Sequence, residues 1–182
     1  MTDISEASPH YDSRVAVLFV KLIDFDNWAS NSFIAINQFR INTPNSVRKS
    51  IIPDIVLFVN GLPLVVVEAK DEDISEPLSE AINQIKRYSN QREDEFDVKE
   101  GEERLFHCNL FSIITHGIEA RIGTITAGFD YYYNWKDIFP EEYKTIEIDG
   151  SNEAKQEVMI RGVLNKEILL DILKNFTLFM QT

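Results

Sequence analysis

Apolar and polar positions follow two rhythms along this chain, one of period two and one of period 3.6, and together they predict a sheet with helices laid on it. Residues 15–23 form a β-branched, apolar run that reads as a strand. Residues 24–32 are polar, with Trp28 as an anchor, and read as a turn or loop. Residues 33–41 read as a second strand, with Phe33, Ala35, Asn37 and Phe39 alternating against Ile34, Ile36, Gln38 and Arg40. A loop over 42–50 carries Arg48 and Lys49. Two apolar runs then flank Asn60-Gly61, a strong hairpin signal, and supply strands three and four.

Residues 75–90 carry the helical rhythm, with Leu78, Ala81, Ile82 and Ile85 on one stripe. Ser75 is the expected N-cap, Glu76 suits the positive end of the helix dipole, and Pro77 is tolerated in the first turn. Residues 111–115 and 120–127 read as two further strands joined by a turn at His116-Gly117. Residues 131–135 are aromatic and read as an edge segment. A last helix from Lys166 to about Met180 is capped by Asn165 and buries Ile168, Leu169, Ile172, Leu173, Phe176 and Phe179. This order of elements predicts an α/β fold, a mixed central sheet flanked by helices.

Composition narrows the reading. A chain of 182 residues, 44% apolar, is one ordinary domain with a single core, here expected over residues 15–182 behind a loose lead-in at 1–14. No apolar run approaches the roughly 20 residues that span a bilayer, and no secretory signal opens the chain. Cys108 is the only cysteine, which excludes an intrachain disulfide and a thiolate zinc cluster and fits a reducing cytoplasm. The acidic run from Arg92 to Glu103 reads as a solvated loop.

The chemistry lies in the hairpin. Asp54, Glu68 and Lys70 are set among apolar residues, where an unneutralised carboxylate costs several kcal/mol or more. Glu68 and Lys70 are two apart on a strand and share a face. Two acids and a lysine converging at a strand end suit a hard divalent cation and phosphodiester hydrolysis. The register makes a demand, however. A plain two-residue turn would pair Val59 with Leu62 and Pro53 with Glu68, and would point Asp54 away from Glu68. A shared site therefore requires an irregularity, such as a three-residue turn with Gly61 in a bulge, or a bend at Pro53-Asp54.

Pro53-Asp54, thirteen residues, then Glu68-Ala69-Lys70 matches the PD-(D/E)XK motif of metal-dependent nucleases. Beyond that motif the chain resembles the amino-terminal nuclease domain of the restriction (motor) subunit of type I restriction–modification enzymes. The resemblance runs over roughly residues 15–180 and includes residues 20–27, Asn37-Gln38-Phe39, the segment 55–67, residues 81–88, 120–124 and 169–176. It implies a restriction-endonuclease-like fold and Mg²⁺-dependent cleavage of double-stranded DNA, with Mn²⁺ able to substitute. It further implies that Asp54, Glu68 and the backbone carbonyl of Ala69 hold the metal, that Lys70 assists the attacking water, and that Gln84 and Tyr88 support the site.

Arg48, Lys49, Lys86 and Arg87 are candidates for contact with DNA. His10, His107 and His116 lack ligand spacing and read as structural or loop residues. Tyr131, Tyr132, Tyr133 and Trp135 read as core or edge residues rather than base-stacking ones. The net charge of −12 opposes DNA binding by the domain alone, so affinity is expected from elsewhere: modification and specificity subunits, and motor domains in cis. No Gly-x-x-x-x-Gly-Lys-Ser/Thr loop is present, so ATP enters only through such motor domains, and the chain reads as a domain cut from a larger protein or a truncated reading frame. The family's upstream acidic residue has no counterpart before Val15, and Asp24 or Asp26 could stand near the site instead. Two other readings stay open: a free-standing nuclease of repair or of a mobile element, and a non-catalytic docking remnant.

Overall fold

Asn60 and Gly61 both take positive φ, 50° and 85°, as a two-residue hairpin turn whose twist matches its strands requires. A computed structural model describes residues 21–92, 98–117, 119–142 and 155–177. In it the turn joins β4 (Ile55–Val59) to β5 (Leu62–Lys70). Val59 pairs with Leu62 and Phe58 with Pro63, but the ladder then resumes at Leu57 and Val65. Leu64 is the extra residue of a β-bulge. Pro63 has no N–H for the ladder, so the break there is cheap. The bulge also lets the consecutive Leu64 and Val65 both enter the same core. Sequence analysis placed the irregularity in the turn or at Pro53-Asp54; it lies in β5 instead.

The central sheet has the order β1-β4-β5-β6-β7, with β1 at Phe33–Asn37, β6 at Phe111–His116 and β7 at Glu119–Gly123. Only β5 and β6 run parallel among these neighbours. The crossover between them contains α1 (Pro77–Tyr88), whose Leu78, Ala81, Ile82, Ile85 and Tyr88 are buried. They pack on Val56, Val66 and Ile114 of the sheet. The opposite face, with Val65, Val67, Ile113 and Ala120, is covered by α2 (Lys155–Arg161) and α3 (Lys166–Asn175) through Met159, Leu169 and Leu170. Each such side chain, fully buried, contributes about 1.5–3 kcal/mol.

Several boundaries differ from expectation. The strand expected over 15–23 lies mostly outside the described residues, and Lys21, Leu22 and Ile23 are not strand. The second strand stops at Asn37, where Gln38 turns to φ 52°. The chain beyond it forms a separate two-stranded sheet, β2 (Ile41–Asn42) against β3 (Ser50–Ile51), with Arg48 and Lys49 in the connection. Glu76, not Ser75, is the residue before α1, because a proline after it disfavours the right-handed helical region. Asn165 caps α3 as expected, accepting from the N–H groups of Glu167 and Ile168. Phe176 is 75% exposed and leaves the stripe, while Leu170 joins the core; Phe179 and Met180 lie outside the described residues. Tyr132 is buried and Tyr133 bridges to Ile122, the core and edge roles expected of that segment.

The turn residue Asn60 also holds the chain before β1. Its Oδ1 accepts from the Ser32 N–H at 2.7 Å, and its Nδ2 donates to the Leu22 carbonyl at 2.8 Å. Asn60→Gly keeps a backbone suited to φ 50° and removes only these two bonds and a third, from Nδ2 to Oδ1 of Asn31 at 2.8 Å. It should cost about 2 kcal/mol in denaturant unfolding. An unchanged midpoint would show that the bonds contribute nothing net.

Candidate active site

The bulge decides which side chains meet. With Ile55 paired to Val67, the next step of the ladder sets Asp54 opposite Glu68. The Ala69 N–H donates to Oδ2 of Asp54 at 2.8 Å, which joins the two strand ends directly. Asp54 and Glu68 share parity with Val56 and Val66, so both lie on the face that α1 covers.

Glu68 is 1% exposed, and its Oε1 accepts from Nζ of Lys70 at 2.9 Å. Lys70, 10% exposed, also donates to Oε1 of Gln84 at 2.7 Å. The amide of Gln84 donates in turn to the Tyr88 hydroxyl at 2.5 Å, and that hydroxyl donates to the Ile52 carbonyl at 3.0 Å. Gln84 and Tyr88, one turn apart on α1, thus tie the lysine to the backbone before the motif strand. Arg87 lies beside them, its guanidinium 5.2 Å from the centre of the Tyr88 ring.

Electrostatics mark Glu68 as the tense member. Burial pushes its carboxyl up to about 7, against the pull of the Lys70 hydrogen bond, and the nearby Asp54 charge adds to the rise. Burial likewise raises the Tyr88 phenol to about 12, which keeps it a neutral donor. Among the described residues, Oε2 of Glu68 is buried and has no hydrogen-bond partner. A buried carboxylate oxygen left in that state costs free energy until a cation or donor reaches it.

No group of three or more His, Cys, Asp or Glu side chains is gathered for a metal among the described residues. The donors present are two carboxylates and backbone oxygen, all hard. That set fits Mg²⁺, which binds through one or two carboxylates and keeps several waters, and does not fit a thiolate or imidazole metal.

The other predicted residues divide. Arg48 stands 3.9 Å from Oε1 of Glu100, and Arg92 stands 2.9 Å from Oε2 of the same residue. Glu100 is 9% exposed, so this part of the acidic run is a buried clamp rather than a solvated loop; residues 93–97 lie outside the described ones. Lys49 is exposed in the β2–β3 connection. Lys86 lines a separate groove on α1 with Ser79, Asn83, Gln91 and Arg92. Of the four DNA-contact candidates, only Arg87 contacts the site.

Asp24 and Asp26 are bound up in the loop that precedes β1: both accept from Lys21, and the Asp24 backbone is bonded to Asn31, which in turn meets the hairpin turn at Asn60. That loop stands at the hairpin tip, the opposite end of β4 from Asp54. Gln38 is the residue that sequence reasoning missed: its side-chain amide donates to Oδ1 of Asp54 at 2.7 Å. Its signal in the sequence was its place in the resembling stretch Asn37-Gln38-Phe39, where it read only as one position of a strand over 33–41. An apolar groove of about 300 Å³, with Ile55, Leu57, Val67, Met159 and Ile160 in its walls, lies on the opposite face and offers nothing to this chemistry.

Comparison with known proteins bears on the same hairpin. Residues 10–131 match the family described as type I restriction enzyme R protein N terminus. The type I restriction enzyme HindI endonuclease subunit of Haemophilus influenzae is 35% identical over 161 residues, 88% of this chain and 14% of the relative. The type I restriction enzyme SauCOLORF180P endonuclease subunit of Staphylococcus aureus is 32% identical over 104 residues, 57% of this chain and 10% of the relative. The chain therefore spans only a small part of these relatives' length. With two thirds of its residues matched to the family, this chain belongs to the type I restriction enzyme R protein N-terminal family.

Proposed function

We propose that this domain is a PD-(D/E)XK endonuclease that hydrolyses phosphodiester bonds of double-stranded DNA with Mg²⁺, Mn²⁺ being able to substitute. One observation carries the reading: the bulge in β5 puts Asp54 and Glu68 on one face, beside a lysine held between Glu68 and Gln84. Asp54, Glu68 and the Ala69 carbonyl would hold the cation. A divalent ion bound there supplies positive charge that polarises the phosphate and makes a water more acidic. Lys70 places its ammonium against the same phosphate and offsets charge that develops on its oxygens. Gln84 and Tyr88 keep that ammonium in place and exclude water from its far side.

The domain works as part of a longer R subunit, whose motor domains in cis use ATP to translocate DNA, in complex with modification and specificity subunits. A net charge of −12 agrees with this division of labour, because affinity for phosphate is then supplied by the partners. No helix among the described residues is long and apolar enough to cross a membrane, and we place the assembly in the cytoplasm with its DNA.

The test is calorimetric titration of Mn²⁺ into the domain and into Asp54→Ala. Binding by the first and none by the second is the expected result. Equal binding by both would remove Asp54 from the site. No binding by either would favour a docking module for partner subunits.

A further inference from the structure

β1 follows β4 as far as the pair Asn37 and Ile55 and then stops. One more extended residue would carry it alongside Asp54. Gln38 instead turns into the left-handed region at φ 52°, which a residue with a side chain adopts only at a cost. Residues held in such conformations point to a functional constraint when the surroundings use the geometry they create. Here the surroundings do. The backbone N–H of Gln38 donates to the Asp54 carbonyl at 2.8 Å, and its side-chain Nε2 donates to Oδ1 of the same residue at 2.7 Å. The Ala69 N–H holds Oδ2 from the other side at 2.8 Å. Each carboxylate oxygen has two lone-pair sites, so one on each remains for a further partner.

Resting on the metal-centre reading above, we infer that Gln38 is a positioning residue that orients the Asp54 carboxylate for a divalent cation, and that the left-handed backbone at residue 38 aims its amide. Groups that hydrogen-bond a metal ligand restrict its rotation and set how much order the ion must impose on arrival. Two neutral donors, one just past the end of β1 and one in β5, fix this carboxylate without cancelling its charge. Glu68, by contrast, is held by a cation.

The two possible roles of Gln38 separate cleanly. Ending β1 needs only a backbone N–H and positive φ, and glycine provides both with less strain. Orienting Asp54 needs the side-chain amide. The experiment is Mn²⁺ calorimetry together with thermal unfolding on the wild-type domain, Gln38→Gly, Gln38→Met and Asp54→Ala. Gln38→Met keeps the side-chain length and the backbone cost and loses only the donor, so it covers the case in which glycine loosens the turn. The expected result is that Gln38→Gly melts at or above the wild-type temperature, while both Gln38 variants bind Mn²⁺ about tenfold more weakly. Wild-type Mn²⁺ affinity in Gln38→Met overturns the inference and leaves the metal centre standing. Absence of Mn²⁺ binding by the wild type overturns the metal centre itself, and the role of Gln38 with it.

Discussion

Glu68→Gln should bind Mn²⁺ roughly a hundredfold more weakly than the wild type, and its metal-free stability should lose a pH dependence that the wild type shows. The folded carboxyl sits at about 7, against an ordinary value of 4.5, because burial disfavours its charge. A carboxyl raised on folding binds its proton more tightly in the native state. Its contribution is therefore complete below about pH 4.5 and is lost as pH rises through about 7. The difference between those two values corresponds to about 3 kcal/mol.

A divalent cation favours the ionised form and gives Oε2 the partner it lacks, so Mn²⁺ should raise the unfolding midpoint more at alkaline pH than at acid pH. The glutamine variant keeps the size of the side chain and an oxygen for Lys70, which guards against a collapse caused by an uncompensated ammonium. Denaturant melts across this range, with and without Mn²⁺, read both effects. Parallel pH curves for the two proteins would show that Glu68 is not the group burial has tuned.

Lys70→Met should have the opposite signature: cleavage down by roughly a thousandfold with metal binding kept. The ammonium is 10% exposed and has two partners, Glu68 and Gln84, so it is held in place before any substrate arrives. Methionine follows the same path without a charge. Mn²⁺ affinity near neutral pH should fall modestly, because removing the Lys70 hydrogen bond lets burial push the Glu68 carboxyl higher still. Raising the pH should restore that part of the loss and none of the cleavage. Single-turnover cleavage by the full R subunit, assembled with its partner subunits, is the measurement. Cleavage at the wild-type rate would take Lys70 out of the reaction.

What was legible in the sequence followed from rules that act over a few residues. Asn60-Gly61 announced the turn, the stripe from Leu78 to Ile85 announced α1, and Asn165 announced the start of α3. Strand spacing put Glu68 and Lys70 on one face and helix spacing did the same for Gln84 and Tyr88, but that the two pairs meet was implied only by the family resemblance. Four features were not legible. Leu64 became the bulged residue because the core takes both Leu64 and Val65, and that demand comes from α2 and α3, far along the chain. Helix α2 spans seven residues, too short for its apolar stripe to stand out. Glu100 looks like one acid among many until the fold brings Arg48 and Arg92 to it. Gln38 meets Asp54 only because its own φ changes sign, which a glutamine gives no reason to expect.

The bulge at Leu64 also sets a parity rule for the hairpin. An unbroken ladder closed by a two-residue turn always has an even number of residues between partners. Thirteen residues separate Asp54 from Glu68, and the odd one is absorbed at Leu64. The tip can therefore grow or shrink in steps of two without rotating either carboxylate. A chain one residue shorter here can keep the alignment only by straightening β5. Wherever the two-residue turn is kept, the spacing of the two acids and the presence of the kink are thus inherited together, and a homologue's residue count should reveal whether its strand is bent.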